Sequence, residues 1–372
     1  MKVLPQSLRR SKVEEIHETL RREIVEKQWQ PDDRLPTEAE LAARFECSPA
    51  TINKAAALLV QAGLIERKPK LGMRVVSNSE RTAEPAVQLD AFAFIYPSDQ
   101  HDGIWRTLKG FQDAGRKTGR RVVMLPSGAD YQKEMEFVDR LSEFDVKGAV
   151  VFPLLPSPQD VVNFSRILIA SRLPIVVTEV SLPAIGVPTI IADSFHAACT
   201  VTRHLIERGA SRIGFLANYA NIPAVTEHYR GYLWALEEAG LEPPPGGVVL
   251  DPEMNPDFEH PLSESTALGH RLLASAAGAL DAAVCTNDYL ALGCLHAARE
   301  RDLQVPRDLR LASCNDYGLA GPDGLTLTTY KIPQEEIGRR SFELLDQIVA
   351  KKPLLHREVI VRGALVQGRS GG

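Results

Sequence analysis

The sequence predicts an α/β chain in two parts: a small, mostly helical head with one β hairpin, and a larger body of two doubly wound parallel sheets. Three observations carry this. From Leu89 onward, short apolar strand-like runs alternate with amphipathic helical stretches. The alternation comes in two successive series, so two sheets are expected, each covered by helices on both faces. Ahead of Leu89 the pattern differs, with capped helical stretches followed by a short basic hairpin. The expected boundaries are 1–76 for the head, 77–88 for a linker and 89–370 for the body. Within the body one lobe is expected at about 89–190 and 327–353, the other at about 191–326 and 354–370.

Taken in order, Met1 to Arg10 is a basic lead, and Ser11-x-x-Glu14 opens a helix with Val13, Ile16, Leu20 and Ile24 on one face. Gln30-Pro31-Asp32-Asp33 reads as a turn. Thr37 and Glu40 form a capping box for a short helix whose apolar side is Leu41, Ala42 and Phe45. Ser48 caps the next helix and Pro49 occupies its first turn, where a missing N–H costs nothing. Ile52, Ala55, Ala56 and Leu59 recur at helical spacing and must face a core. The opposite face then shows Ala50, Asn53, Lys54, Ala57 and Gln61, and Gly63 ends the helix. Leu64–Arg67 and Met73–Val76 read as two strands around Lys68–Gly72. This is the order of a winged helix-turn-helix, with Lys68, Lys70 and Arg74 on the wing suited to phosphates or a groove. Ser77 to Gln88 is polar, aperiodic and contains Pro85, as a linker does.

In the body, strands are expected at Ala91–Ile95, Val122–Leu125, Ala149–Phe152, Ile175–Val177 and Thr189–Ile191, with helices at Trp105–Thr118, Tyr131–Phe144 and Asp160–Ser171. The second series has strands at Ile213–Leu216, Val248–Leu250, Ala282–Cys285 and Leu309–Ala312, and helices at Phe195–Arg208, Val225–Ala239, Ser265–Ala274 and Tyr289–Arg301. Ligands of such sheets sit beyond the C-terminal strand ends, and here also between the lobes.

Composition narrows the function. The 372 residues carry a net charge of −5, with 14 Lys/Arg against 11 Asp/Glu in residues 1–76 and a more acidic remainder. A mildly basic head on an acidic body fits a DNA-binding head whose body avoids DNA. Cys47, Cys199, Cys285, Cys294 and Cys314 show no C-x-x-C spacing and read as reduced thiols of a cytoplasmic protein. No signal peptide pattern opens the chain, and no apolar run approaches the ~18 residues of a membrane span. His228, His260, His270 and His296 lack metal-ligand spacing and read as surface or packing histidines, and no G-x-S-x-G or Walker pattern occurs, so no cofactor, metal or catalytic residue is expected. Gly209 and Gly240 read as helix C-caps rather than phosphate loops.

The residues Leu35-Pro36-Thr37-Glu38-x-Glu40-Leu41, Ser48-x-x-Thr51-Ile52-x-Lys54-Ala55 and Leu59-x-x-x-Gly63-Leu64-Ile65 resemble the GntR-type winged helix over the first fifth of the chain. The resemblance implies DNA contacts from Arg34, Thr37, Glu38, Ser48, Pro49, Ala50, Thr51, Asn53, Lys54, Lys68, Lys70, Gly72 and Arg74. Two positions where that family often has Arg hold Ala39 and Pro49, and the wing reads Lys70-Leu71-Gly72-Met73 in place of Gly-x-Gly. Guanine contacts from those two positions are therefore absent, and specificity should lean on Ser48, Thr51, Asn53, Lys54 and the wing.

The body carries Leu108-Lys109-Gly110-Phe111, Val146-Lys147-Gly148-Ala149, Leu173-Pro174-Ile175-Val176, Tyr229-Arg230-Gly231-Tyr232, Cys285-Thr286-Asn287-Asp288 and Val305-Pro306-Arg307-Asp308 in that order. Together they resemble the LacI/GalR-type regulator core, akin to periplasmic sugar-binding proteins, over nearly all of Leu89–Ser370. That family's own helix-turn-helix is replaced by the GntR-type head, a combination similar to arabinose-responsive hybrid repressors. The resemblance implies an effector between the lobes, with Glu179, Arg230, Asn287, Asn315 and Asp316 as polar contacts. Asp99, Asp102 and Trp105 are added from the first strand-to-helix loop. Such a set suits a mono- or oligosaccharide: carboxylates accept from hydroxyls, Arg and Asn donate, and an aromatic covers the ring face. Asn287 also fits a turn residue, Arg230 a solvated helix residue, Trp105 a core residue, and Asp288 the cap of the following helix.

The expected function is a transcriptional regulator, a repressor, that binds a pseudo-palindromic operator as a homodimer and is not an enzyme. An effector that closes the lobes would weaken DNA affinity, although some relatives need a corepressor. The rivals are a sugar sensor that has lost DNA binding, and an enzyme fused to a GntR-type head.

Overall fold

The computed structural model describes residues 12–25, 29–30, 33–61, 64–68, 72–75, 90–98, 101–128, 130–141, 146–153, 155, 157–253, 260–276 and 279–372. The expected lead at 1–10, the linker at 77–88 and Gly63 lie outside the described residues. Contacts divide the chain into two compact units, Met1–Val87 and Gln88–Gly372.

The first unit holds α1 (Lys12–Val25), α2 (Glu38–Arg44), α3 (Pro49–Gln61), β1 (Ile65–Lys68) and β2 (Gly72–Val75). The capping box forms as the sequence requires: Glu40 N–H donates to the Thr37 hydroxyl at 3.3 Å, and Thr37 N–H donates to the Glu40 carboxylate at 2.7 Å. Ser48 Oγ accepts from Thr51 N–H at 3.2 Å at the start of α3. Ile16, Leu20, Leu41, Ile52, Ala55, Leu59, Met73 and Val75 close into one core. The wing strands pair antiparallel, Ile65 opposite Val75 and Lys68 opposite Gly72. A third chain segment joins them, because Leu35 N–H donates to Met73 O and Val75 N–H to Asp33 O, both at 3.0 Å.

The second unit holds two six-stranded sheets. The first contains β3 (Ala91–Tyr96), β4 (Arg121–Pro126), β5 (Gly148–Val151), β6 (Ile175–Thr178), β7 (Thr189–Ala192) and β13 (Glu358–Val361), in the order β13-β7-β6-β5-β3-β4 and parallel throughout. Its helices are α4 (Asp102–Thr118), α5 (Tyr131–Asp139), α6 (Pro158–Ala170) and α11 (Gln334–Val349). The second contains β8 (Ile213–Ala217), β9 (Val248–Leu250), β10 (Ala282–Cys285), β11 (Arg310–Asn315), β12 (Thr328–Lys331) and β14 (Ala364–Val366), in the order β14-β12-β11-β10-β8-β9. There β14 alone runs antiparallel, and the helices are α7 (Ser194–Glu207), α8 (Pro223–Glu238), α9 (Pro261–Ser275) and α10 (Asp288–Arg299). Strands β3, β5, β6, β8 and β10 are buried along their whole length, as parallel strands between helix layers must be.

Lobe membership at the C-terminal end differs from the sequence expectation. Residues 328–331 belong to the second sheet as β12, paired with β11, not to the first lobe. Residues 358–361 belong to the first sheet as β13, paired with β7, not to the second lobe. The chain therefore crosses between sheets after β7, after β12 and after β13. Strand exchange of this kind is settled by distant partners, which leave no local pattern. Close approach of α4 and α11 does leave one: a Cβ on Gly110 would stand 1.9 Å from Glu335 O, and one on Gly338 equally close to Thr107 O.

Candidate functional site

Parallel strands of both sheets end at one cavity of about 330 Å³. Pro97 and Ser98 follow β3, Phe152 and Pro153 follow β5, and Glu179 follows β6. From the other sheet come Asn218 and Tyr219 after β8, Thr286 and Asn287 after β10, and Asn315 and Tyr317 at the end of β11. Ile332 and Gln334 lie in the crossing after β12. Three residues directly at these strand ends hold left-handed backbone, Glu179 (φ 63°), Tyr219 (φ 54°) and Asn315 (φ 102°). Non-glycine residues rarely adopt that region, and strain of this kind collects at ligand sites.

The cavity's buried polar atoms are unevenly satisfied. Asn287 accepts from Leu290 N–H at 3.0 Å, capping α10, and its Nδ2 donates to Asn218 Oδ1 at 3.1 Å. Asn315 Nδ2 donates to Tyr317 Oη at 2.8 Å. Five buried atoms lining the cavity have no partner among the described residues: His101 Nδ1, both ring nitrogens of His228, Thr286 Oγ1 and Gln334 Oε1. All four residues line the cavity. Burial holds the His228 imidazole neutral, down to about 4, and lowers His101 as well. Burial pushes the Glu179 carboxyl up to about 7 against one opposing bond from the Ala192 N–H, and it raises Glu264 too.

Of the effector residues expected from sequence, Glu179, Asn287 and Asn315 line the cavity together. The others do not. Arg230 points into solvent, 67% exposed, and pairs with Glu227 at 2.8 Å. Two residues earlier on α8, and so on the other side of that helix, the 6%-exposed His228 takes the inward place. Its signal was in the sequence: Val225, His228, Tyr232 and Ala235 form the inward stripe of α8. Trp105 is 48% exposed, off the Ile104, Leu108, Phe111 stripe of α4, so it neither covers a ligand nor enters the core. Asp102 instead accepts from Tyr289 Oη at 3.3 Å, and the Asp316 carbonyl accepts from Arg106 at 2.7 Å. Both residues thus bridge the lobes beside the cavity rather than lining it. Asp99 lies outside the described residues. Asp288 is not the cap, a role Asn287 takes. At 1% exposure it accepts from Ser313 Oγ, Thr329 Oγ1 and Tyr317 N–H, tying α10 to β11 and β12. His101, Asn218, Tyr219, Glu264, Thr286, Tyr317 and Gln334 lie outside the sequence expectation because strand ends and helices distant in sequence bring them together.

In the head, Thr37 and Ser48 use their hydroxyls as caps, and Ser48 Oγ lies 2.8 Å from Thr51 Oγ1. Pro49, Asn53 and Lys54 stand exposed on α3, while Thr51 and Glu38 are half-buried. Arg34 is exposed, with its Nε 3.4 Å from where a Gly72 Cβ would be, so it lies over the wing strand beside the half-buried Arg74. Lys70 and the side chains of Ala50 and Lys68 lie outside the described residues. Within the described residues no helix is long and apolar enough to cross a membrane, and no cluster of three or more His, Cys, Asp or Glu could hold a metal.

Comparison with known proteins agrees with both halves. Residues 12–75 match the family described as bacterial regulatory proteins, gntR family, and residues 202–371 match the periplasmic binding protein-like domain. The arabinose metabolism transcriptional repressor of Geobacillus stearothermophilus is 25% identical over 352 residues, covering 92% of this chain and 94% of that protein. The HTH-type transcriptional repressor CytR of Escherichia coli strain K12 is 25% identical over 269 residues, 69% of this chain and 74% of that protein. Among solved structures, transcription regulator GntR from Chromobacterium violaceum superposes with a TM-score of 0.65 at 26% identity, covering 76% of this chain and 99% of that one. The chain joins a GntR-type DNA-binding domain to a periplasmic-binding-protein-like domain, and on that two-domain plan it is a transcriptional regulator rather than an enzyme.

Proposed function

We propose that this regulator is a homodimeric cytoplasmic repressor whose operator affinity is lowered by a small sugar-class effector bound in the cavity between its lobes. The observation that carries the effector reading is the set of five buried polar atoms, without a partner among the described residues, on the wall of one cavity. Leaving such atoms dry costs about 1–3 kcal/mol each, so a hydroxyl-rich ligand that meets them gains that back. Apolar walls from Ile104, Phe152, Leu155, Ile222 and Val225 suit the non-polar faces of a ring. The relative named for arabinose metabolism supports the sugar class. On the head, Asn53 and Lys54 are the base-facing candidates, and Arg34 with the wing holds phosphates.

The test is a mobility-shift titration of the full chain on its own upstream DNA, with and without a panel of sugars selected by thermal shift. Operator binding should be tight and one sugar should release it, a coupling of about 1–3 kcal/mol. Asn53→Ala should relax base preference, and Arg34→Ala should weaken all sequences alike with a shallower salt dependence. The reading is overturned if sugars that stabilise the protein leave operator affinity unchanged.

A further inference from the structure

We propose that the effector is a polyhydroxylated molecule carrying a protonatable nitrogen, an amine-bearing sugar being the simplest case. This rests on the cavity being the effector site. Its wall presents two carboxyls, Glu179 and Glu264, and among the described lining residues no Lys or Arg. Neither carboxyl forms an ion pair among the described residues. Glu179 is met by the backbone N–H of Ala192, and Glu264 by Asn218. A buried carboxyl facing no cation is costly unless it is protonated or a partner arrives.

The hydrogen-bonding balance points the same way. The side-chain amides of Asn287 and Asn315 already donate within the protein, to Asn218 and Tyr317. What remains unpartnered is rich in acceptors. Gln334 Oε1 can only accept, and the neutral imidazoles of His101 and His228 each keep a lone pair. His228 is 6% exposed and Thr286 5%, so both are buried side chains of the cavity wall. Phe152, Tyr219, Tyr289 and Tyr317 add aromatic faces to the same wall. An ammonium group brings three donors and a positive charge, and it is favoured by carboxyls, neutral imidazoles and aromatic faces alike. A phosphorylated or carboxylated sugar would meet two carboxyls and no cation, and is disfavoured.

The experiment compares matched pairs by calorimetry on the full chain: glucosamine with glucose, galactosamine with galactose, and glucose 6-phosphate as the anionic member. In at least one pair the amine should bind at least about tenfold tighter than the hydroxyl partner. Glu179→Gln, checked for a wild-type melting transition, should bring that ratio close to one. The charge assignment is overturned if the neutral or anionic members bind as tightly as the amines, or if no amine binds. Ala224→Trp, which places an indole into the cavity wall, separates the two claims. If probes still bind this variant, the cavity is not the effector site and the reading beneath the proposal falls. If it blocks neutral sugars while no amine preference exists in the wild type, the charge assignment alone falls.

Discussion

The winged head and the cavity of the body handle polar groups in opposite ways. In the head, polar side chains near the DNA-facing helices are paired over three residues, Thr37 with Glu40 and Ser48 with Thr51. In the cavity, polar groups arrive from helices and strand ends far apart in sequence, and five buried atoms have no partner among the described residues. The lesson is that the head meets its polar groups by bonds a few residues long, whereas those of the cavity wall depend on what the assembled fold brings beside them.

The strongest way to break that contrast is to remove the frame that holds the cavity open. Asp288→Ala strands the donors Ser313, Thr329 and the Tyr317 N–H inside the fold, and should cost the body about 3–5 kcal/mol in urea unfolding. It should also abolish any ligand-induced thermal shift. A cost under about 1 kcal/mol would mean that the frame does not depend on this carboxyl.

His228→Leu tests the cavity wall itself. Replacing an unpartnered buried imidazole by an apolar side chain should stabilise the empty protein by about 1–2 kcal/mol while weakening effector binding. The pH dependence gives a second reading. His228 sits near 4 when folded against an ordinary 6.5, so the unfolded chain takes the proton first and stability falls as pH drops from about 6.5 to 4. Glu179, raised to about 7 from an ordinary 4.5, acts in the other sense, and its contribution is lost as pH rises through that window. Melting curves of His228→Leu should therefore show a shallower acid-side fall, the lowered His101 keeping its share, and keep the Glu179 slope. An unchanged acid-side fall would place the titration elsewhere.

The smallest expected effect lies in the head. Thr37→Ala removes half of the capping box of α2 and should cost about 1 kcal/mol of head stability. Limited proteolysis of the head should accelerate while ligand-induced stabilisation of the body stays the same. An equal loss in the body would erase the division between local and assembled polar groups.

The same division explains what could be read from the residues. The box at Thr37 and Glu40, the cap at Ser48 and the helical stripe Ile52, Ala55, Ala56, Leu59 are short-range signals, and all appear in place. Gly209 and Gly240 take the left-handed conformation expected after helices. At the site, Glu179, Asn287 and Asn315 are expected from the resemblance to the LacI/GalR-type core, and the structure places all three beside strand ends at the cavity. Arg230 was misplaced by two residues of helix phase, which moved the inward role to His228. Asp102 and Asp316 have the right chemistry in the right loops, yet partners on the opposite lobe take them up.

The sequence by itself determined the two-part plan, the capped reading helix with its wing, and the alternation that makes two parallel sheets. Those features depend on contacts a few residues apart or on periodicity along one element, and both are written in residue order. Only the tertiary structure decided that β12 and β13 exchange sheets, that His101, His228, Thr286 and Gln334 converge unpartnered, and that no lysine or arginine joins them among the described lining residues. Which side chains meet in that cavity depends on how distant strand ends are brought together, and helix phase and cross-lobe bonding fix that only once the chain has folded.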